Sequence, residues 1–129
     1  MAKDFAKLQG EWTLTSLEMD GEDAPVSGGI AIDGDRFRAI GMGADYSGTV
    51  ELDEAAKPRH IDLIFTDGPE AGNLNRGIYE LSGDTLRLCL NMAGKARPRS
   101  FSTKPGSGNA LEVFRRGAID ATPSEPKAS

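Results

Sequence analysis

One cysteine and one histidine occur in 129 residues, and each scarcity removes a class of protein. Cys89 has no second cysteine to pair with, so cysteine usage gives no sign of an oxidising compartment. A transition-metal site needs several His, Cys or carboxylate groups to converge, and with His60 and Cys89 alone no metal site is expected. No stretch approaches the roughly 18 consecutive apolar residues that span a bilayer. The opening MAKDFAKLQG has neither an apolar signal core nor a small-residue cleavage site, so a cytoplasmic protein is the expectation. Positive charge is also in short supply: 15 Lys and Arg against 20 Asp and Glu leave a net charge of -5. Nucleic acids and anionic membranes both demand a dense basic surface, so neither is expected as a partner. Lys95, Arg97, Arg99 and Lys104 gather loosely in a segment rich in Pro and Gly. They read as a solvated loop, with a phosphate or carboxylate contact as the alternative. G-x-S-x-G, phosphate-loop and dinucleotide fingerprints are missing, and no cofactor is expected. Gly28-Gly29 and Gly41-Met42-Gly43 read as turns.

What is present is punctuation and alternation. The 16 glycines and 7 prolines are spread along the whole chain, as many turns between short elements require. Phe5 and Leu8, three apart, suit one or two helical turns lying as a plug or lid. Extended segments then follow at regular spacing, over about 11–19, 29–33, 35–41, 46–52, 59–66, 75–81, 85–91 and 110–116. In the first, Trp12, Leu14 and Ser16 share one face and Thr13, Thr15 and Leu17 the other. Asp20-Gly21 breaks that strand, and Asp33-Gly34 is read as a two-residue hairpin turn of type I′. Leu86, Leu88 and Leu90 alternate with Thr85, Arg87, Cys89 and Asn91. Eight such strands remove their edges by closing, and the interior is just wide enough for packed side chains or one small ligand. The fold expected is all-β: an eight-stranded antiparallel up-and-down barrel over residues 1–116, with a short N-terminal helix. The tail 117–129 has little to bury and is expected to be disordered.

Gly10-Glu11-Trp12 at the head of the first strand resembles the G-x-W motif of the lipocalins and the wider calycin group. The stretches 8–12, 61–70, 77–89 and Phe101-Ser102-Thr103-Lys104-Pro105-Gly106-Ser107-Gly108 are similar to a family of uncharacterised bacterial lipocalin-like domains, covering roughly 8–116. The resemblance implies a lipocalin-like barrel and carries no general activity. It also implies that Trp12 closes the barrel base against an Arg after the last strand, Arg115 or Arg116. Phase with Leu111 and Val113 favours Arg115. The chain departs from typical lipocalins in lacking a Thr-Asp pair near the turn after the sixth strand; Thr66-Asp67 follows the fifth instead.

Two groups of residues are candidates for chemistry. His60 and Asp62 share a face of the 59–66 strand. If that face lines the cavity, they suit a general base and its orienting carboxylate; if it faces water, they are a surface pair. Tyr79, Arg87, Cys89 and Asn91 form the second group, as polar ligand contacts or as a structural thiol and a solvated arginine. The function expected is binding of a small, mostly apolar molecule in the barrel. The alternatives are a cofactor-independent lyase, isomerase or hydrolase built on His60 and Asp62, and a ligand-free structural or interaction domain. A homodimer is left open.

Overall fold

In the computed structural model, described over residues 3–41 and 45–119, one short helix precedes nine strands. The helix α1 covers Asp4–Leu8. The strands are β1 (Gly10–Met19), β2 (Glu22–Ala24), β3 (Gly29–Asp33), β4 (Arg36–Ile40), β5 (Tyr46–Asp53), β6 (Arg59–Asp67), β7 (Leu74–Ser82), β8 (Thr85–Asn91) and β9 (Asn109–Arg116). Every pairing is antiparallel: β1 pairs with β2, β3 and β9, and from β3 to β9 each strand pairs with the next in the chain. Eight strands therefore form a closed barrel, the architecture expected from alternation and turn spacing. The ninth, β2, was not expected. It lies along the upper half of β1, on the edge that β3 occupies only over Gly10–Thr13.

Turn chemistry accounts for the hairpins. Asp20 and Gly21 link β1 to β2 with both φ values positive, 55° and 76°, which is the type I′ requirement. The β3–β4 hairpin pairs Asp33 with Arg36, so its central residues are Gly34 and Asp35. Only Gly34 has positive φ there, which corrects the expected Asp33-Gly34 type I′ turn to a type II′ turn centred one residue later.

One β-bulge changes which side chains reach the interior. The β1–β9 register shifts between Leu14 and Ser16, so Thr15 is passed over. Trp12 and Leu14 point inward below the bulge, and Leu17 and Met19 point inward above it. The simple alternation expected for this strand put Leu17 opposite Trp12; the extra residue reverses that.

The interior core runs through Leu14, Ile32, Phe37, Val50, Ile61 and Leu88, all buried. A second buried layer lies outside the barrel. Ile78 and Cys89 are fully buried yet belong to the outer faces of β7 and β8, where the 92–108 segment folds over them. The final residues 120–129, on which the expected disordered tail mostly falls, lie outside the described residues.

Candidate functional site

The two ends of the barrel differ, and the difference locates the site. At one end α1 acts as a plug: Phe5 and Leu8 are buried against the core, and the Trp12 Nε1–H donates to Leu8 O at 2.8 Å. Arg116 lies across the Trp12 ring, its guanidinium carbon 4.2 Å from the centroid. The same guanidinium donates to Gln9 O at 2.8 Å and to Lys7 O, and its Nε lies 3.5 Å from Asp84 Oδ1. The arginine that closes this end is thus Arg116, not the Arg115 favoured by phase. In β9 it is Ala110, Glu112 and Phe114 that face inward, while Leu111 and Val113 face outward. Arg116 continues the inward face, opposite Trp12 in the β1 ladder. Gly10, with φ of 104°, starts the strand beside this cluster.

Tyr79 also serves the plug. Its hydroxyl donates to Asp4 Oδ2 at 2.6 Å, and Arg59 reaches the same oxygen at 3.1 Å. Burial and the neighbouring carboxylate push the phenol pKa well above its ordinary range. Tyr79 is therefore held protonated as a structural donor.

The opposite half of the barrel is hollow and open. A cavity of about 370 Å³ runs between the β1, β4, β5, β6, β8 and β9 walls. Phe37, Phe65 and Tyr46 form one side, meeting edge to face at 5.2 Å and 5.9 Å between centroids. Leu17, Leu90 and Phe114 form the other. At the rim stand Met19 and Met92, the two large apolar side chains that remain exposed among the described residues. Three polar side chains other than the Tyr46 hydroxyl reach the lining: Glu70, Asn75 and Glu112. Among the described residues no Lys, Arg or His lines this cavity.

Glu112 was not singled out in the sequence. It is 8% exposed and stands on the inner wall between Ala110 and Phe114. Its pKa is pushed up to about 7 by burial alone. In Leu111-Glu112-Val113-Phe114 phase with the apolar pair Leu111/Val113 points to the wrong inner face; the aromatic Phe114 belongs there, with Glu112.

The other candidates lie elsewhere. His60 and Asp62 occupy the outer face of β6, because Ile61, Leu63 and Phe65 take the inner one. Asp62 is engaged by Arg97, whose Nη1 donates to Asp62 Oδ1 at 2.7 Å, to Gly77 O at 2.8 Å and to Ile61 O at 3.2 Å. The basic loop thus holds a carboxylate of its own chain. Arg87, Cys89 and Asn91 sit under that loop on the outer face of β8, apart from Tyr79. Arg87 stacks 3.9 Å from the Phe101 ring centroid and pairs with Glu80 at 3.2 Å. Cys89 faces Ser102 O at 3.7 Å, and burial raises its thiol pKa. Asn91 Nδ2 donates to Ser107 O, and its Oδ1 accepts from the backbone N–H groups of Ala93 and Lys95, which fixes both ends of the loop. In a groove at the plugged end, between Lys57, Glu54 and Phe101, three of the charged groups are already engaged: Glu54 accepts from Lys3 N and Asp4 N, Arg59 is tied to Asp4, and Glu80 pairs with Arg87.

The fold and the site together define a closed antiparallel β-barrel, plugged at one end and hollow at the other. Compared with protein-family models, curated proteins and solved structures, the chain matches none. Among the described residues no helix is long and apolar enough to cross a membrane.

Proposed function

We propose that the protein is a lipocalin-like carrier or sensor that takes a small, mostly apolar molecule into the open half of its barrel. The observation that supports this reading is the pairing of an apolar hollow of about 370 Å³ with an exposed methionine rim, Met19 and Met92. The volume lies within the range of small-molecule sites. The unbranched, polarizable methionines adapt to ligands of different outline. Affinity would come from covering the aromatic and aliphatic walls, at roughly 25 cal/mol per Å² of apolar surface removed from water. The closure of the plugged end by Trp12 and Arg116 agrees with a kinship to lipocalin-like domains. Because the lone thiol, Cys89, is buried and has no cysteine partner, a cytoplasmic setting suits the same reading. An enzyme built on His60 and Asp62 finds no support in the cavity, since both face away from it.

N-phenyl-1-naphthylamine, a neutral apolar fluorophore, tests the reading by direct titration. Saturable enhancement is expected with the native protein. Ala39→Trp, which places an indole into the cavity wall beside Phe37, should abolish that enhancement without lowering the unfolding midpoint. No saturable enhancement with the native protein, or undiminished enhancement with Ala39→Trp, would refute cavity binding.

A further inference from the structure

Two carboxylates are buried among the described residues, Asp4 and Glu112, and only the first is paired. Asp4 is held by Tyr79 and Arg59, Asp62 by Arg97, Arg116 by backbone carbonyls, and Glu18 accepts from the Thr103 hydroxyl. Glu112 is more than nine-tenths buried, and its carboxyl gives onto the cavity. Among the described residues no hydrogen bond or ion pair reaches it, and burial is the sole influence on its titration. Its ladder partners are apolar, Leu17 on β1 and Leu88 on β8. The other titratable groups facing the same space are Tyr46 on β5 and Glu70 in the β6–β7 loop; neither is cationic. A nine-tenths-buried acceptor that the protein leaves without a donor is favoured by a bound molecule that supplies one.

We propose that this cavity selects amphiphilic amines: an apolar body lies between Phe37, Phe65 and Leu90, and a protonated nitrogen donates to the Glu112 carboxylate. The proposal rests on the cavity being a ligand site and specifies its ligand class. The sign of the lining decides against the opposite class. A fatty acid or other anion would bring a second carboxylate to Glu112, past Glu70, with no Lys, Arg or His in the lining to receive it. A neutral alcohol satisfies the acceptor but leaves its charge uncompensated. An ammonium does both, and the fold has already removed one of the two ions from water, so binding bears the desolvation of the ligand alone.

Isothermal titration calorimetry with 4-phenylbutylamine, 4-phenylbutanol and 4-phenylbutanoate separates the possibilities, because the three share one apolar body. At pH 8 the amine is expected to bind more tightly than the alcohol and at least about tenfold more tightly than the carboxylate. Between pH 6 and pH 8 its affinity should rise roughly tenfold as Glu112 ionises, while the alcohol's should not rise. Glu112→Gln, which keeps the shape and removes the charge, should level the amine against the alcohol and abolish the pH response; Glu70→Gln should leave both in place. Alcohol binding with no preference for the amine overturns amine selection and leaves the cavity reading standing. An amine preference that survives Glu112→Gln, or that is lost in Glu70→Gln, overturns the role of Glu112. Binding by none of the three overturns both.

Discussion

A carboxyl group held nine-tenths buried in a largely apolar wall titrates against the fold, and Glu112 makes the unliganded protein sensitive to pH in a defined direction. Burial moves its pKa from 4.5 to about 7. Between those values the folded chain keeps the proton that the unfolded chain has lost, so the unfolded state binds fewer protons and stability falls as pH rises. Below 4.5 both states are protonated, above 7 both are ionised, and the slope vanishes on either side. The loss expected across the window is on the order of 3 kcal/mol. Urea midpoints at pH 5 and pH 8 should therefore separate for the native protein and converge for Glu112→Gln, with the variant the more stable of the two at pH 8. A native protein whose midpoint rises from pH 5 to pH 7 would show that Glu112 is not buried unpaired. Tyr79, also raised by burial, works in the opposite sense for function: bound to Asp4, it is spent on holding the plug and is not available to a ligand.

At the scale of elements, the 92–108 segment behaves as an outer wall rather than as a free loop. Arg97 fastens its middle to β6 and β7, Asn91 fixes its start, and Phe101 lies on Arg87. What it covers includes Cys89, whose thiol is fully buried and whose pKa is raised. Removing the guanidinium leaves Asp62 and two backbone carbonyls without their donor, so Arg97→Ala should loosen the cover without opening the barrel. Labelling of Cys89 by a small aromatic disulfide at pH 8 is expected to accelerate by roughly tenfold or more, since exposure and thiolate character set thiol reactivity. Equal labelling rates with unchanged stability would show that Arg97 does not hold this wall. Strand β5 offers a second constraint of the same scale. Gly48 lies at the bulge facing β6, where a Cβ would come within 1.9 Å of Ile64 O, so the close approach of the two strands admits no side chain there.

For the whole molecule, closure at the plugged end is what converts a curled sheet into a barrel with one mouth. The β1–β9 ladder joins the ends of the chain, and Trp12, fully buried, is clamped between Leu8 O and Arg116. Trp12→Ala removes a large core side chain and the anchor of α1 together, and is expected to cost about 3–5 kcal/mol in denaturant unfolding. Arg116→Ala should cost less, because its side chain is 37% exposed and solvent screens its charge. Should Trp12→Ala leave the midpoint unchanged, the closure would have to reside in the ladder alone.

The class of the fold and the position of most elements are legible in the chain residue by residue. Period-two alternation in β6 and β8, glycine turns every few residues and the apolar pair in α1 are local features, and each carries its meaning within a few residues of chain. The Asp20-Gly21 turn is equally local, although its second product, the short strand β2, depended on a free edge of β1 that only the closed sheet creates. Face assignment was legible where one side of a strand is uniformly apolar, as in Leu86, Leu88 and Leu90. It failed where both sides carry apolar residues, as in β9, and where the bulge at Thr15 reset the phase of β1. Both failures have one physical cause: which face turns inward is set by the register with a strand nearly a hundred residues away, and register is a property of the assembled ladder. The same step hid the site. His60 and Asp62 stand out in the sequence as a titratable pair, yet the barrel turns them outward; Glu112 looks like any charged residue in a strand until tertiary structure encloses it, alone, in the one half of the barrel that is hollow.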